Sequence, residues 1–167
     1  MDEQDPPNDG LAQVADLRCL LVRSRDVLVG VDCFRLWPSG VQFALTVRLR
    51  QEQPPVALPE LVVDPADADL IPSARLLRFA VTCADGIRRE PESRATRTGL
   101  RQTGGSGSGF GLAESGGACF GFDFWLTPRP SGEVTFEVEC ADIGVERSTA
   151  SVKLPERIPE PVTFLAT

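Results

Sequence analysis

The chain has 167 residues, of which 42% are hydrophobic, and a formal net charge of −7. This length fits one domain that can bury a core without metals or disulfides. The acidic balance makes nucleic acid and anionic membranes unfavourable partners, because both attract basic surfaces. The 14 prolines and 15 glycines favour many short elements joined by turns over long helices.

The sequence contains no histidine. Histidine is the usual general base near neutral pH and the commonest metal ligand. Its absence excludes Ser–His–Asp and Cys–His catalytic arrangements and the zinc sites that use histidine. We therefore expect a protein that is not an enzyme and that carries no cofactor and no metal.

The five cysteines are widely and irregularly spaced, and they form no CxxC pair. The first ten residues are acidic and polar, unlike a secretory signal, so we expect reduced thiols and a cytoplasmic location. Cys119 is off the apolar phase of its strand and is expected to be partly exposed. The other four lie on the apolar phase of predicted strands and are expected in the core: Cys19, Cys33, Cys83 and Cys140.

Taken in chain order, the pattern first predicts a disordered acidic tail over residues 1–13. One domain is expected over 14–154, and it begins with a short strand near Leu17. The remaining segment, 155–167, is too rich in proline for a helix and is predicted to be a tail.

The clearest local unit is a β-hairpin over residues 26–50. The apolar phase of its first strand changes near Cys33, which indicates a bulge or a strand that is apolar on both faces. The turn is the Trp-Pro-Ser-Gly sequence at 37–40. Beyond the turn, residues 41–50 alternate strictly between apolar and polar side chains, so one face is expected to be buried and the other wet.

Two irregular segments separate this hairpin from the next. Residues 51–75 contain five prolines and are predicted to be a long connection with a brief edge strand at 61–63. A strand is expected over 77–83. Residues 87–117 have almost no apolar content, being Arg-rich first and Gly- and Ser-rich afterwards, and they are predicted to form a mobile loop.

A second hairpin is predicted over residues 118–141, with its turn at 128–132, and a last strand over 145–154 should lie at an edge. Both hairpins contain a Pro-Ser-Gly turn followed closely by Val-x-Phe. This similarity suits two sheets that each contribute one hairpin to a common core. The predicted fold is an all-β, two-sheet antiparallel β-sandwich of about six to eight strands, either immunoglobulin-like or jelly-roll-like.

The first hairpin carries the pattern Asp-x-x-x-Leu, Pro-Ser-Gly, Val-x-Phe over residues 32–43, and a Phe-Trp pair occurs late in the chain at 124–125. Together with a strong preference for arginine over lysine, these features resemble the small uncharacterised β-sandwich proteins of high-GC bacterial genomes. The resemblance implies the fold and covers the two hairpins. It implies no activity and no catalytic residues.

Five arginines form the basic cluster of the predicted loop, and they are candidates for binding a phosphate or an acidic partner, because guanidinium groups make bidentate contacts to such groups. They are Arg88, Arg89, Arg94, Arg97 and Arg101. The alternative is a solvated loop in which these charges pair with Glu90, Glu92 and the acidic tail.

Trp37 and Trp125 flank the two turns, and they are either exposed binding residues or caps on the core beneath the turns. The run GGSGSGFG lacks the Lys-Ser/Thr of a nucleotide-binding loop, so a flexible loop is expected there instead. The acidic residues at 64–69 lack the spacing of an EF-hand, so no calcium site is predicted.

Three functions remain open at this point. The first is a non-enzymatic module for protein interaction or assembly, whose partner is another protein or a second copy of the chain. The second is a domain that binds a ligand or phosphate through the Arg-rich segment 88–101. The third and weakest is a hydrolase that uses two carboxylates brought together by the fold.

Overall fold

The structure, a computed structural model, describes residues 6–7, 10–50, 60–71, 73–92, 99–112, 117–158 and 162–163. Its long strands form two antiparallel sheets that pack face to face, so the predicted all-β sandwich is confirmed. The strands are β1 (Gly10–Leu11), β2 (Gln13–Ala15), β3 (Cys19–Arg23), β4 (Val27–Leu36), β5 (Val41–Leu49), β6 (Leu61–Val62), β7 (Arg75–Leu76), β8 (Arg78–Thr82), β9 (Arg88–Arg89), β10 (Gly99–Leu112), β11 (Gly117–Thr127), β12 (Glu133–Cys140), β13 (Val145–Lys153) and β14 (Val162–Thr163). The described residues also form one short α-helix, α1 (Pro65–Leu70), and a 3-10 turn at Ala141–Ile143.

The described residues form 14 strands, more than the predicted six to eight, and the eight strands of five or more residues all lie in two sheets. Sheet I has the order β10-β11-β5-β4, and both β2 and β3 pair with β4 at its far side. Sheet II has the order β13-β12-β8-β9. Two small pairings, β1 with β14 and β6 with β7, lie outside these sheets.

The core lies between the two sheets, and Phe43 of β5 is at its centre. The Phe43 ring lies 5.9 Å from Phe34 and 5.7 Å from Phe124, both in sheet I. It also lies 5.2 Å from Phe136 and 6.2 Å from Phe79, both in sheet II. All five rings are at most 2% exposed. The strict alternation of β5 therefore buries one face against the other sheet, as the sequence predicts.

The predicted second hairpin is wrong, although both of its strands exist. β11 pairs with β5 and β10 in sheet I, whereas β12 pairs with β8 and β13 in sheet II. The turn at 128–132 thus carries the chain across the core from one sheet to the other. Alternation shows which face of each strand is buried, but it does not show whether two apolar faces lie side by side or opposite one another.

The predicted mobile loop over 87–117 is also wrong for most of its described residues, while 93–98 and 113–116 lie outside the described part of the chain. It contains β9 and the 14-residue strand β10, which pairs with β11 along its length with two irregularities in register. The tails differ from expectation as well, because β1 of the predicted 1–13 tail pairs with β14 of the predicted 155–167 tail. The Gly- and Ser-rich run of β10 has no apolar alternation, so its strand structure follows from backbone pairing with β11.

Several local predictions are confirmed. The bulge near Cys33 is present, where the β4–β5 register shifts and Cys33 has a φ of 56°. The predicted strands at 77–83 and 145–154 appear as β8 and β13. The connection over 51–75 contains the expected short strand β6, but its acidic stretch forms α1 instead of an irregular loop.

The cysteines follow the sequence prediction with one exception. All five are free thiols. Cys119 is partly exposed as expected, and three of the four predicted core cysteines are buried. Cys33 is exposed, because the bulge turns its side chain away from the core.

Candidate functional site

The predicted arginine site is already occupied by carboxylates in its first part. Arg88 lies on β9 and contacts both Glu90 and Glu137, with 2.9 Å between its Nη2 atom and Oε1 of Glu137. Arg147 of β13 binds the other oxygen of Glu137 at 2.7 Å. Burial opposes ionisation of Glu137, but the hydrogen bonds from Arg147 and Arg88 lower its pKa below the ordinary value. A phosphate would therefore have to compete with carboxylates for Arg88.

Arg89 is paired in the same way. Its Nη2 atom lies 2.9 Å from Oδ2 of Asp85, and the hydrogen bond from Arg89, with one from the Ile87 amide, lowers the pKa of Asp85. Arg101 belongs to β10 of sheet I, whereas Arg88 and Arg89 belong to sheet II. The other two predicted arginines, at 94 and 97, lie outside the described residues.

The two tryptophans are buried against each other and offer no binding surface, although neither belongs to the core between the sheets. Trp37 is 6% exposed and Trp125 is fully buried, and their rings meet edge to face at 5.6 Å. Gly40 leaves the space that Trp125 occupies, since a Cβ atom on Gly40 would lie 2.4 Å from the ring. The two turns are joined through Ser39, whose carbonyl accepts hydrogen bonds from the Arg129 amide and the Thr127 hydroxyl.

The edges of the two sheets differ in how they are protected. Natural sheets shield their edges with short strands, charged side chains, proline or covering segments. In sheet II, β9 has two residues, and β13 carries Glu146, Arg147 and Lys153. At the far side of sheet I, β2 has three residues and β3 has five. β10, the remaining edge, has 14 residues, one arginine, and no lysine, acidic residue or proline.

The free edge of β10 is paired at its start, and the short strand β6 lies close to β10. The carbonyl of Leu100 accepts a hydrogen bond from the Glu92 amide, and Pro91 forms a β-bridge to Leu100. The N–H and C=O of one strand residue point to the same side, and sides alternate along the strand. The backbone groups of Gln102 therefore also point to the free edge, while those of Arg101 point to β11. No described residue pairs with this edge after Leu100.

The outer face of sheet I carries a second exposed surface. Leu20 is 53% exposed and Leu28 is 39% exposed. A depression of about 300 Å³ includes both leucines together with Arg18, Gly30, Asp32, Thr46 and Arg48. A second depression, of about 340 Å³, adjoins it and adds Arg25, Asp26 and Arg50. No local pattern in the sequence marks this surface, because its residues come from three strands.

Carboxylates do not converge at three depressions that the described residues form. The two on sheet I are lined by one carboxylate each, Asp32 and Asp26, and a third beside α1 is lined by Glu90 alone. The two-carboxylate arrangement that a hydrolase requires is not formed at any of the three. Within the described part of the chain, no group of three or more Cys, Asp or Glu residues could hold a metal ion.

Burial also makes the core thiols poor nucleophiles. Desolvation raises the pKa of Cys19, Cys83 and Cys140, so little thiolate is present near neutral pH. The pKa of the exposed Cys33 is raised by desolvation and by the neighbouring Asp32. Neighbouring arginines lower the pKa of Cys33, Cys83 and Cys140 less than burial raises it, so these thiols are not activated as a catalytic cysteine would be.

Comparisons with protein families, with curated proteins and with solved structures find no match. Among the helical residues that the structure describes, none form a helix long and apolar enough to cross a membrane. Among the surfaces that the described residues form, the free edge of β10 is the most distinctive.

Proposed function

We propose that this protein is a non-enzymatic interaction or assembly module that accepts an extended strand from another protein, or from a second copy of itself, on the free edge of β10. The observation that carries the proposal is the contrast between edges. Three are short or charged, whereas β10 is long, uncharged after Arg101 and unpaired among the described residues after Leu100. Unprotected edges of this kind are templates for pairing with another chain.

Strand addition draws its affinity from main-chain hydrogen bonds, and side-chain pockets add specificity. The second half of β10 is rich in glycine and serine, and glycine within a strand often marks a place where another backbone approaches closely. The outward N–H and C=O of Gln102 are the first free pair after the covered start of the strand.

A cytoplasmic setting is part of this proposal. All five cysteines are free thiols, which suits a reducing compartment. The acidic net charge favours proteins over nucleic acids as partners.

The proposal is tested by the pair of variants Gln102→Pro and Gln102→Ala. Both remove the Gln102 side chain, but only proline removes the outward N–H, and neither removes a hydrogen bond between β10 and β11. Extended peptides are selected from a random peptide library on the immobilised protein, and self-association of the chain is measured by analytical ultracentrifugation.

We expect Gln102→Pro to weaken the binding of the selected peptide, or the self-association, by about tenfold. This is the effect of losing one hydrogen bond between uncharged main-chain groups. Gln102→Ala should leave the affinity within about twofold of the original. Two results would overturn the proposal. One is equal affinity for both variants, and the other is a protein that neither self-associates nor yields any peptide sensitive to Gln102→Pro.

A further inference from the structure

On the outer face of sheet I, the depression lined by Leu20 and Leu28, called the hollow below, lies beside Arg48 and Arg50. Leu20 of β3, Gly30 of β4 and Thr46 of β5 are neighbours across the three strands. Leu28 and Arg48 are direct partners in the next row. We call this surface, together with Arg18 and Arg50, the β3–β5 patch. It holds the adjoining depressions of about 300 and 340 Å³, which share Leu28 and Arg48.

The hollow of the patch has the size and polarity to receive an apolar side chain. Its floor is low because Gly30 has no side chain and Thr46 is small. Leu20 and Leu28 stand beside it and are 53% and 39% exposed. Covering such side chains contributes roughly 25 cal/mol for each Å² removed from water, so a bound apolar group would gain affinity here.

The arginines of the patch differ from the two arginines that bind Glu137. No carboxylate of the described chain lies within ion-pair distance of Arg18, Arg48 or Arg50, whereas Arg88 and Arg147 are held by glutamates. These guanidinium groups therefore form a basic surface on a protein whose net charge is −7. Such a local surface attracts an acidic partner and steers its approach.

We infer that the β3–β5 patch binds an acidic, extended protein segment that carries one apolar side chain. The apolar side chain enters the hollow over Gly30 and Thr46, and carboxylates bind Arg48 and Arg50. The carboxylates of Asp32 in the hollow and of Asp26 in the adjoining depression repel those of the segment, and so confine them to the guanidinium groups of Arg48 and Arg50. The span from Asp26, whose carbonyl binds the Arg50 amide, to Asp32 is six residues, or about 20 Å of strand.

This site is independent of the proposed function. β4 and β5 are separated from β10 by β11, and the patch uses side chains on a sheet face, whereas strand addition uses backbone groups at an edge. The proposed segment is a protein segment because the remainder of the chain repels the many phosphates of a nucleic acid.

The test uses a labelled peptide in which a leucine is followed by three glutamates, with fluorescence anisotropy at about 20 mM salt, where screening is weak. Two further peptides replace the glutamates by glutamines or the leucine by serine. A single-stranded oligonucleotide and inorganic phosphate serve as competitors. We expect the acidic leucine peptide to bind most tightly. Neither competitor should displace it when added at a concentration that supplies the same number of negative charges as the peptide.

The decisive variant is Arg48→Gln/Arg50→Gln, and its matched control is Arg88→Gln/Arg147→Gln, which makes the same change of charge on sheet II. The first should weaken peptide binding by roughly fivefold, from two exposed charge pairs, and the control by less than about twofold. Leu28→Ser should reduce the advantage of the leucine peptide over the serine peptide.

Three results would overturn the inference. They are no binding to the unmodified protein up to about 1 mM peptide, equal losses in the two double variants, or tighter binding of the oligonucleotide through Arg48 and Arg50. Because Gln102→Pro leaves this patch unchanged, the same peptide assay on that variant separates failure at the patch from failure at the β10 edge.

Discussion

Replacing Phe43 by alanine should remove a large part of the stability of this fold. Phe43 is 1% exposed, and its ring contacts four other phenylalanine rings drawn from both sheets. Truncating a buried phenylalanine to alanine lowers the free energy of unfolding by about 3–5 kcal/mol. We expect a loss of about 4 kcal/mol for Phe43→Ala, because its four ring contacts contribute stability beyond the buried area. The total free energy of unfolding of a domain of this size is about 5–15 kcal/mol.

The measurement is urea unfolding followed by tryptophan fluorescence and by circular dichroism, with thermal unfolding beside it. Phe43→Ala should lower the melting temperature by about 8–16 °C, given about 2–4 °C for each kcal/mol in chains of this length. Phe43→Leu, which keeps most of the apolar volume, should cost under about 1.5 kcal/mol, and Leu28→Ala under about 0.5 kcal/mol because Leu28 is partly exposed. If Phe43→Ala costs no more than Leu28→Ala, the two sheets do not share this core.

Three further predictions test separate features. Gly40→Ala should destabilise the fold by about 1–3 kcal/mol through overpacking against the tryptophan ring, whereas Gly121→Ala, whose Cβ meets nothing within 4 Å, should be near neutral in the same urea titration. Glu137→Gln should cost up to about 1 kcal/mol at pH 7. The pKa of Glu137 is lower in the folded protein than its ordinary value of 4.5, so this stability difference is fully present above pH 4.5 and disappears as the pH falls through the folded pKa. A stability difference that stays constant down to low pH would contradict the ion-pair account. A soluble disulfide reagent should label two thiols of the native protein, Cys33 and Cys119, and all five only after unfolding; early labelling of a third would contradict the burial described here.

The sequence predicted the parts of the fold that depend on alternation. The buried face of β5 and the bulge at Cys33 can be read from local apolar phase, and the turn at 37–40 from its proline and glycine. The pairing partners of β11 and β12 could not be predicted in this way. Both strands have the same alternating pattern whether they pair with each other or face one another across the core. β10 was missed because glycine and serine carry no apolar phase, and its order comes from pairing.

The candidate surfaces were less accessible to sequence reasoning than the fold. The cluster at 88–101 was prominent because its arginines are close in sequence, yet Arg88 and Arg89 are paired with carboxylates that include the distant Glu137. Arg18 and Arg48 are 30 residues apart and come together only through the pairing of β3, β4 and β5. Register, which one sequence does not determine, decides both outcomes.

The free edge of β10 is tested most directly by amide hydrogen exchange at two neighbouring residues. In a dilute, monomeric sample the amide of Arg101, which points to β11, should exchange slowly, and the amide of Gln102, which points outward, should exchange rapidly. On addition of a selected peptide, or on self-association, the Gln102 amide should become protected while that of Arg101 changes little. A Gln102 amide that is already protected in the monomer, or that stays unprotected in the complex, would contradict strand addition at β10.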